Sequence, residues 1–406
     1  MPHLVVAPDK FRGTASAAAV AAAVAGAARR LGWTADEVPM SDGGEGLLDA
    51  LGGEVRHTVV AGPLGQPFEA EWRLLPAPPD ATDEHASDDP SAGAPNSAAR
   101  GPSAGAPNSA APRTAVIEMA KASGRALLPQ PQREDPVEAD TTGVGQLLLA
   151  ARDAGARRIV VGCGGSATTD GGWGAFAALT NTPPDGPPDG PPPDPPPPQP
   201  LRGIELVVAC DVTTPFLQAA TVFGPQKGAT PEQIVRLTAR LEQVAATYRR
   251  LAGVDVTTIA GAGAAGGLAG GLVALGARIE PGFDLVARIV HLAQRLRTAD
   301  LVITGEGHVD PPSFEGKVPG GVLELARTRT RTSTGAPNGM AALPVVCIGG
   351  GADASVLAHP PPGLEVVSLT AEFGRERARR DTLELIAEVT TRLLPRFCPP
   401  PAHRPH

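Results

Sequence analysis

Acidic side chains and glycines alternate just after several short apolar runs of this chain. Pro8-Asp9-Lys10-Phe11-Arg12-Gly13-Thr14 follows apolar residues 4–7, and Met40-Ser41-Asp42-Gly43-Gly44-Glu45-Gly46 follows a second strand. Gly162-Cys163-Gly164-Gly165-Ser166-Ala167-Thr168-Thr169-Asp170-Gly171-Gly172 follows Val160-Val161, and Asp211-Val212-Thr213 follows Val207-Val208-Ala209-Cys210. Thr304-Gly305-Glu306-Gly307-His308-Val309-Asp310 follows Leu301-Val302-Ile303, with Gly316-Lys317 just beyond. Glycines let backbone N–H groups converge on an anion, and a following helix N-terminus adds its dipole. Carboxylates beside such loops fit when a divalent cation bridges them to phosphate, since Mg2+ takes one or two carboxylates plus phosphate oxygens. That combination belongs to phosphoryl transfer, where positioning and charge neutralisation do most of the work.

Each piece also has a plainer use. Gly164-Gly165 is a natural tight turn, Asp42 a natural helix cap, and Lys227 in Phe223-Gly224-Pro225-Gln226-Lys227-Gly228 ordinary loop charge. Glu45 close to Asp42 favours the functional reading. Lys317 precedes Val318-Pro319, a helix start suited to phosphate. His308 is a weaker base candidate than the carboxylates, and the 8 histidines show no HxxxH spacing for zinc. The chain holds only four lysines, Lys10, Lys121, Lys227 and Lys317. A coding bias towards arginine explains this blandly, yet a compact ammonium is not interchangeable with a guanidinium. All but Lys121 fall in Gly-rich motifs.

Positioning these groups falls to alternating strands and helices. Strand-like runs lie at 4–7, 55–60, 115–119, 158–163, 204–210, 254–260, 301–304, 345–348 and 364–369. Several are almost continuously apolar, as expected of parallel strands covered on both faces. The clearest helix opens at Thr230-Pro231-Glu232-Gln233, a capping box with proline at the first helical position. Its apolar stripe is Ile234, Leu237, Leu241, Val244, Tyr248 and Leu251. Residues 141–154, 283–296 and 381–394 read similarly. The alternation means α/β architecture, in which ligands bind beyond the carboxyl ends of the strands.

With 406 residues, 42% of them apolar, two domains are expected. A net charge of −8 and only 13 aromatics count against nucleic acid. Cys163, Cys210, Cys347 and Cys398 form no CxxC pair and read as reduced core thiols, Cys163 as packing rather than nucleophile. The Ala-rich stretch 15–28 is too short and weakly apolar to span a bilayer, so a cytoplasmic protein without membrane partners is expected. Residues 76–113, 183–200 and 328–342 read as low-complexity insertions. The first repeats Ser91 to Ala99 as Ser103 to Ala111, and the second is proline-rich.

Gly261-Ala262-Gly263-Ala264-Ala265-Gly266, with Glu280 some way on, meets the dinucleotide fingerprint on paper. The pattern is weak among 49 glycines, and 276–279 is short for a second Rossmann strand. No GxxxxGK[ST] phosphate loop occurs.

The ordered set of motifs resembles bacterial class I glycerate kinase. It comprises Ala7-Pro8-Asp9 with Phe11-Arg12-Gly13, Asp42 to Gly46, Gly164 to Thr168 with Asp170-Gly171-Gly172, and Ala209 to Val212. Phe223 to Ala229, Gly261 to Gly267, Thr304 to Gly307 with Asp310, and Gly316 to Pro319 complete it. The resemblance runs from residue 3 to about 395. It implies ATP-dependent phosphorylation of D-glycerate to 2-phosphoglycerate with Mg2+. It also implies a discontinuous flavodoxin-like parallel-sheet domain (1–62 and 286–396) and a restriction-enzyme-like mixed-sheet domain (63–285), with the active site in the cleft between them. The chain departs from the family pattern at Lys10 and Arg12, at His308, and at 183–200.

On this reading the catalytic residues are Asp42, Asp211, Glu306, Asp310 and Lys227. Asp9, Lys10, Arg12, Glu45 and Lys317 bind substrate. Gly164, Gly165, Ser166, Ala167, Thr168, Gly263 and Gly266 cradle the nucleotide, and Asp42, Asp211 and Glu306 hold the metal. Which carboxylate is base and which is ligand stays open, as does a monomer against a homodimer. The alternatives are a nicotinamide-dependent hydroxyacid dehydrogenase using Gly261 to Gly266 and a non-catalytic small-acid-binding protein.

Overall fold

Eleven short strands pair into two sheets in the computed structural model, which describes residues 1–76, 113–128, 137–182, 200–332 and 342–397. Most of the expected insertions, and Cys398, lie outside these residues. The strands are β1 (His3–Val6), β2 (Thr34–Glu37), β3 (Glu54–Ala61), β4 (Pro67–Leu75), β5 (Arg113–Glu118), β6 (Ala156–Gly162), β7 (Glu205–Ala209), β8 (Arg278–Glu280), β9 (Leu301–Val309), β10 (Val345–Ala352) and β11 (Leu364–Ser368).

One sheet has the order β2-β1-β9-β10-β11, every pair parallel. Counted within the sheet this is the 2-1-3-4-5 order of flavodoxin-like folds, with its switch point between β1 and β9. The other sheet runs β3 to β8 in order, antiparallel at β3-β4-β5 and parallel from β5 to β8. The α/β class with one parallel and one mixed sheet is therefore as expected. β3 pairs with β4, so Glu54–Ala61 belongs to the mixed sheet although it falls within segment 1–62.

A single apolar core connects the sheets. Val5 and Val302 of the parallel sheet share it with Val116, Val160 and Val207 of the mixed sheet, through Leu47, Leu48, Phe283 and Leu285. Leu4 and Val6, pointing the other way as strand alternation requires, pack under helices Ala17–Arg30 and Thr382–Leu393.

Helix Pro231–Ala252 starts at the expected capping box and ends at left-handed Gly253. It buries Leu237, Leu241, Val244 and Tyr248. The helix expected over 283–296 is two, Gly282–Ile289 and Leu292–Leu296, separated at His291 with φ 54°. Helix Val318–Thr332 runs into the segment expected as an insertion from 328.

Residues 254–260 are not a strand. Asp255 accepts the N–H of Thr257 and starts a 3-10 turn, Val256–Thr258. The dinucleotide fingerprint thus lacks the strand that must precede its glycines. β9 extends through the Gly-Glu-Gly motif to Val309 instead of ending at Thr304. A Cβ on Gly305 would sit 2.2 Å from the Ile348 carbonyl oxygen, so glycine here serves close strand packing, not a loop.

Candidate active site

The switch point brings β1 and β9 together at their carboxyl ends. Asp9 N–H donates to the Gly305 carbonyl at 2.8 Å, and Thr304 Oγ1 donates to the Ala7 carbonyl at 2.8 Å. Asp9 is 7% exposed. Its Oδ1 accepts Lys10 N–H at 2.7 Å, and Lys10 Nζ lies 3.8 Å away. Burial pushes the Asp9 carboxyl up to about 6; Lys10 opposes this and Asp42 adds to it. Burial also pushes Glu306 up to about 7, against Ser313 and Lys317 and with help from Asp9 and Asp310. Glu306 Oε1 has no hydrogen-bond partner among the described residues. Asp310 forms a capping box with Ser313, and its Oδ1 lies 3.8 Å from Lys317 Nζ.

The loop after β2 reaches across to the mixed sheet. Gly43 carbonyl accepts Cys163 N–H at 3.2 Å, and Glu118 Oε1 accepts the N–H groups of Gly46 and Leu48, each at 2.9 Å. A Cβ on Gly164 would lie 2.7 Å from Gly44 Cα, so these glycines let two backbones touch. That contact places Asp42 opposite Asp211. Asp42 Oδ1 accepts Gly44 N–H at 3.1 Å, and Asp211 Oδ1 accepts Gly282 N–H at 2.6 Å. Burial, then the Asp42 charge, push Asp211 up to about 7, although this residue opens to solvent at the rim.

Between the sheets lies a hollow of about 640 Å³. Lys10, Arg12, Asp42 and Glu45 enter it from the parallel sheet. Gly164, Gly165, Ser166, Asp211 and Lys227 enter it from the mixed sheet. A second hollow of about 350 Å³ shares Lys10, Arg12 and Glu45 with it.

Other expected site residues lie elsewhere. Ala167 and Thr168 are buried, and so are Gly263 and Gly266. A Cβ on Gly266 would fall 1.9 Å from the Thr168 carbonyl oxygen, and one on Gly263 2.4 Å from that of Pro215. Backbone crowding explains these glycines; neither lines the hollow. Asp9, Glu306, Asp310 and Lys317 do not line it either, and connect to it through the Asp42 charge that acts on Asp9. The expected metal trio Asp42, Asp211 and Glu306 does not converge. Among the described residues no three His, Cys, Asp or Glu side chains form a metal cage.

Lys227 is 4% exposed and donates from Nζ to the Thr168 carbonyl oxygen and to Thr169 Oγ1 at 3.4 Å. Burial lowers it to about 7, against the pull of Asp170. It braces the loop that carries Gly164 to Ser166. Asp170 accepts N–H bonds from Thr141, Gly172 and Gly174 and a hydroxyl bond from Thr141, which makes it a loop organiser. Cys163 and Cys210 border the hollow as free thiols, and burial raises both, Cys210 to about 11. Neither is a ready nucleophile at neutral pH.

The sequence motifs assigned no role to Glu118, Lys121 or Arg125. Lys121 lines the smaller hollow and Arg125 the larger. All three end or trail β5, where an acidic residue and two cations past an apolar strand repeat the signal carried by the other strand ends.

No helix among the described residues is long and apolar enough to cross a membrane. The profile of the Glycerate kinase family matches residues 4–186 and 197–393. The chain is 35% identical over 346 residues to glycerate 2-kinase of Escherichia coli (strain K12), covering 80% of this chain and 82% of that protein. It is 37% identical over 350 residues to glycerate kinase of Halalkalibacterium halodurans, covering 80% and 83%. A crystal structure assigned as glycerate kinase 2 from Salmonella typhimurium LT2 superposes with a TM-score of 0.69 at 31% identity, covering 97% of this chain and 99% of that one. With its two sheets, the hollow between them and a match along most of its length, this chain belongs to the glycerate kinase family, a family of kinase enzymes.

Proposed function

We propose that the protein transfers the γ-phosphoryl group of ATP to D-glycerate, giving 2-phosphoglycerate. The carrying observation is that Asp42 and Asp211, from loops of different sheets, share one hollow with Lys10 and Arg12.

Two facing carboxylates, each with one oxygen given to a backbone N–H, suit a divalent cation, and the Asp42 charge adds to the burial that raises Asp211. Two carboxylates with phosphate oxygens make the coordination Mg2+ prefers, so Asp42 and Asp211 are the residues that would hold it. When bound, Mg2+ supplies charge neutralisation on the triphosphate. Lys10 and Arg12 face the charge that develops on the transferring group. The backbone of Gly164 to Ser166 offers N–H donors to the donor phosphates. Glu45, the carboxylate shared by both hollows, takes the proton of the attacking hydroxyl, which must approach to about 3–3.5 Å of phosphorus. Lys227 acts as a positioning residue through Thr168, and Glu306, Asp310 and Lys317 act through Asp9.

The same reading makes the protein a cytoplasmic enzyme, monomeric or a homodimer, with a discontinuous parallel-sheet unit and a middle mixed-sheet unit. An ADP-release assay with D-glycerate, hydroxypyruvate, tartronate and lactate tests it. Release with D-glycerate and none with hydroxypyruvate, which lacks the 2-hydroxyl, is expected. No release with D-glycerate removes the assignment.

A further inference from the structure

The two hollows differ in size and share a wall. Lys10, Arg12 and Glu45 line both, while Thr14 and Lys121 line only the one of about 350 Å³. Lys121 is half-buried, yet its ammonium makes no hydrogen bond or ion pair among the described residues. The carboxylate that feels its charge, Glu118, is already committed to the N–H groups of Gly46 and Leu48. The Arg12 guanidinium is likewise without an ion pair among the described residues. Asp49, also on this wall, lies 3.9 Å from Arg73. Two cations without an ion pair among the described residues therefore line one small hollow, and a carboxylate is a ligand that satisfies them.

A transfer between two substrates needs a large seat, a small seat and a junction where the transferred group passes. The larger hollow has room for a nucleotide, and the smaller is ample for a three-carbon acid. We propose that the smaller hollow seats the acid substrate and that Lys121 holds its carboxylate, placing its hydroxyl at the wall of Lys10, Arg12 and Glu45. This rests on the glycerate kinase reading above and adds which hollow takes the acid and which residue selects for it.

Steady-state kinetics of the full chain test the assignment. Lys121→Met raises KM for D-glycerate about 10- to 100-fold, the scale of one charge-assisted hydrogen bond, and leaves KM for ATP within about twofold. Lys121→Arg recovers part of the loss. Thr14→Trp, at an exposed position that cannot unfold the core, fills the smaller hollow and raises the same KM. Calorimetric titration of D-glycerate into the nucleotide-free protein shows the same weakening in both variants. An increase in KM for ATP equal to that for D-glycerate, or an unchanged KM for D-glycerate in Lys121→Met and Thr14→Trp, overturns the assignment while leaving the kinase reading intact. A wild-type protein that consumes no ATP with D-glycerate overturns the kinase reading itself.

Discussion

Glu118, at the end of β5 in the mixed sheet, accepts the backbone N–H of Leu48 from the parallel-sheet side at 2.9 Å. The same oxygen accepts Gly46 N–H, so one buried carboxylate anchors the loop that presents Asp42 and Glu45. Glu118→Ala leaves both donors without an acceptor. It is expected to cost about 1–3 kcal/mol of stability and to lower turnover. Glu118→Gln keeps an acceptor oxygen and restores most of both. Thermal unfolding with parallel turnover measurements checks the pair, and an Ala variant with wild-type values removes the anchor.

Gly164→Ala forces a Cβ to within 2.7 Å of Gly44 Cα and of Glu45 nitrogen, separating the loops that bring Asp42 and Asp211 together. Turnover is expected to fall by about 10²-fold or more, the scale of one lost transition-state contact. Gly26→Ala is the control. It lies inside helix Ala17–Arg30, where the nearest atom is 3.7 Å from the added carbon. This substitution stabilises by about 0.5–1 kcal/mol and leaves turnover alone.

Much of this arrangement is legible in the residue pattern alone. Apolar runs mark β1, β6, β7 and β10, because parallel strands covered on both faces carry little polar alternation. β4 escapes that search because only Ala70, Trp72, Leu74 and Leu75 of its nine residues are buried, alternating with half-exposed polar neighbours. β2 is a largely polar edge strand of four residues, Thr34–Glu37, with only Ala35 apolar to announce it. Residues 254–260 mislead in the opposite sense. Val254, Val256 and Ile259 are apolar and β-branched, but Val256 turns into the cluster around Tyr248. In the site, residue type exposes Asp42, Asp211 and Lys10, whose charges have few structural uses after a strand. Glycine is ambiguous, because Gly263, Gly266 and Gly305 are needed for close backbone packing and not for a ligand.

Buried carboxylates set a pH dependence. Asp9 rises from 3.8 to about 6 and Glu306 from 4.5 to about 7, chiefly through burial. Both bind protons more tightly folded than unfolded. Their contribution to stability is therefore complete below pH 4 and is lost as pH climbs through 6 and 7. Glu306→Gln is expected to flatten the upper part of this decline in the ligand-free protein. Melting temperatures from pH 4 to 8 check it, and identical profiles for the variant and the wild type contradict it.

The core shared by Val5, Val116, Val160, Val207 and Val302 makes the two sheets one cooperative unit. Scanning calorimetry is expected to show one unfolding transition. Two resolved transitions would mean that the sheets unfold separately.

Phosphorus NMR of D-glycerate incubated with ATP, Mg2+ and the purified protein is the decisive measurement, run beside Asp42→Asn. A 2-phosphoglycerate signal should grow as ATP decays with the wild type, and at least about 10²-fold more slowly with Asp42→Asn at nearly unchanged melting temperature. Stable ATP with the wild type, or wild-type rates in Asp42→Asn, would contradict phosphoryl transfer in the hollow between the sheets.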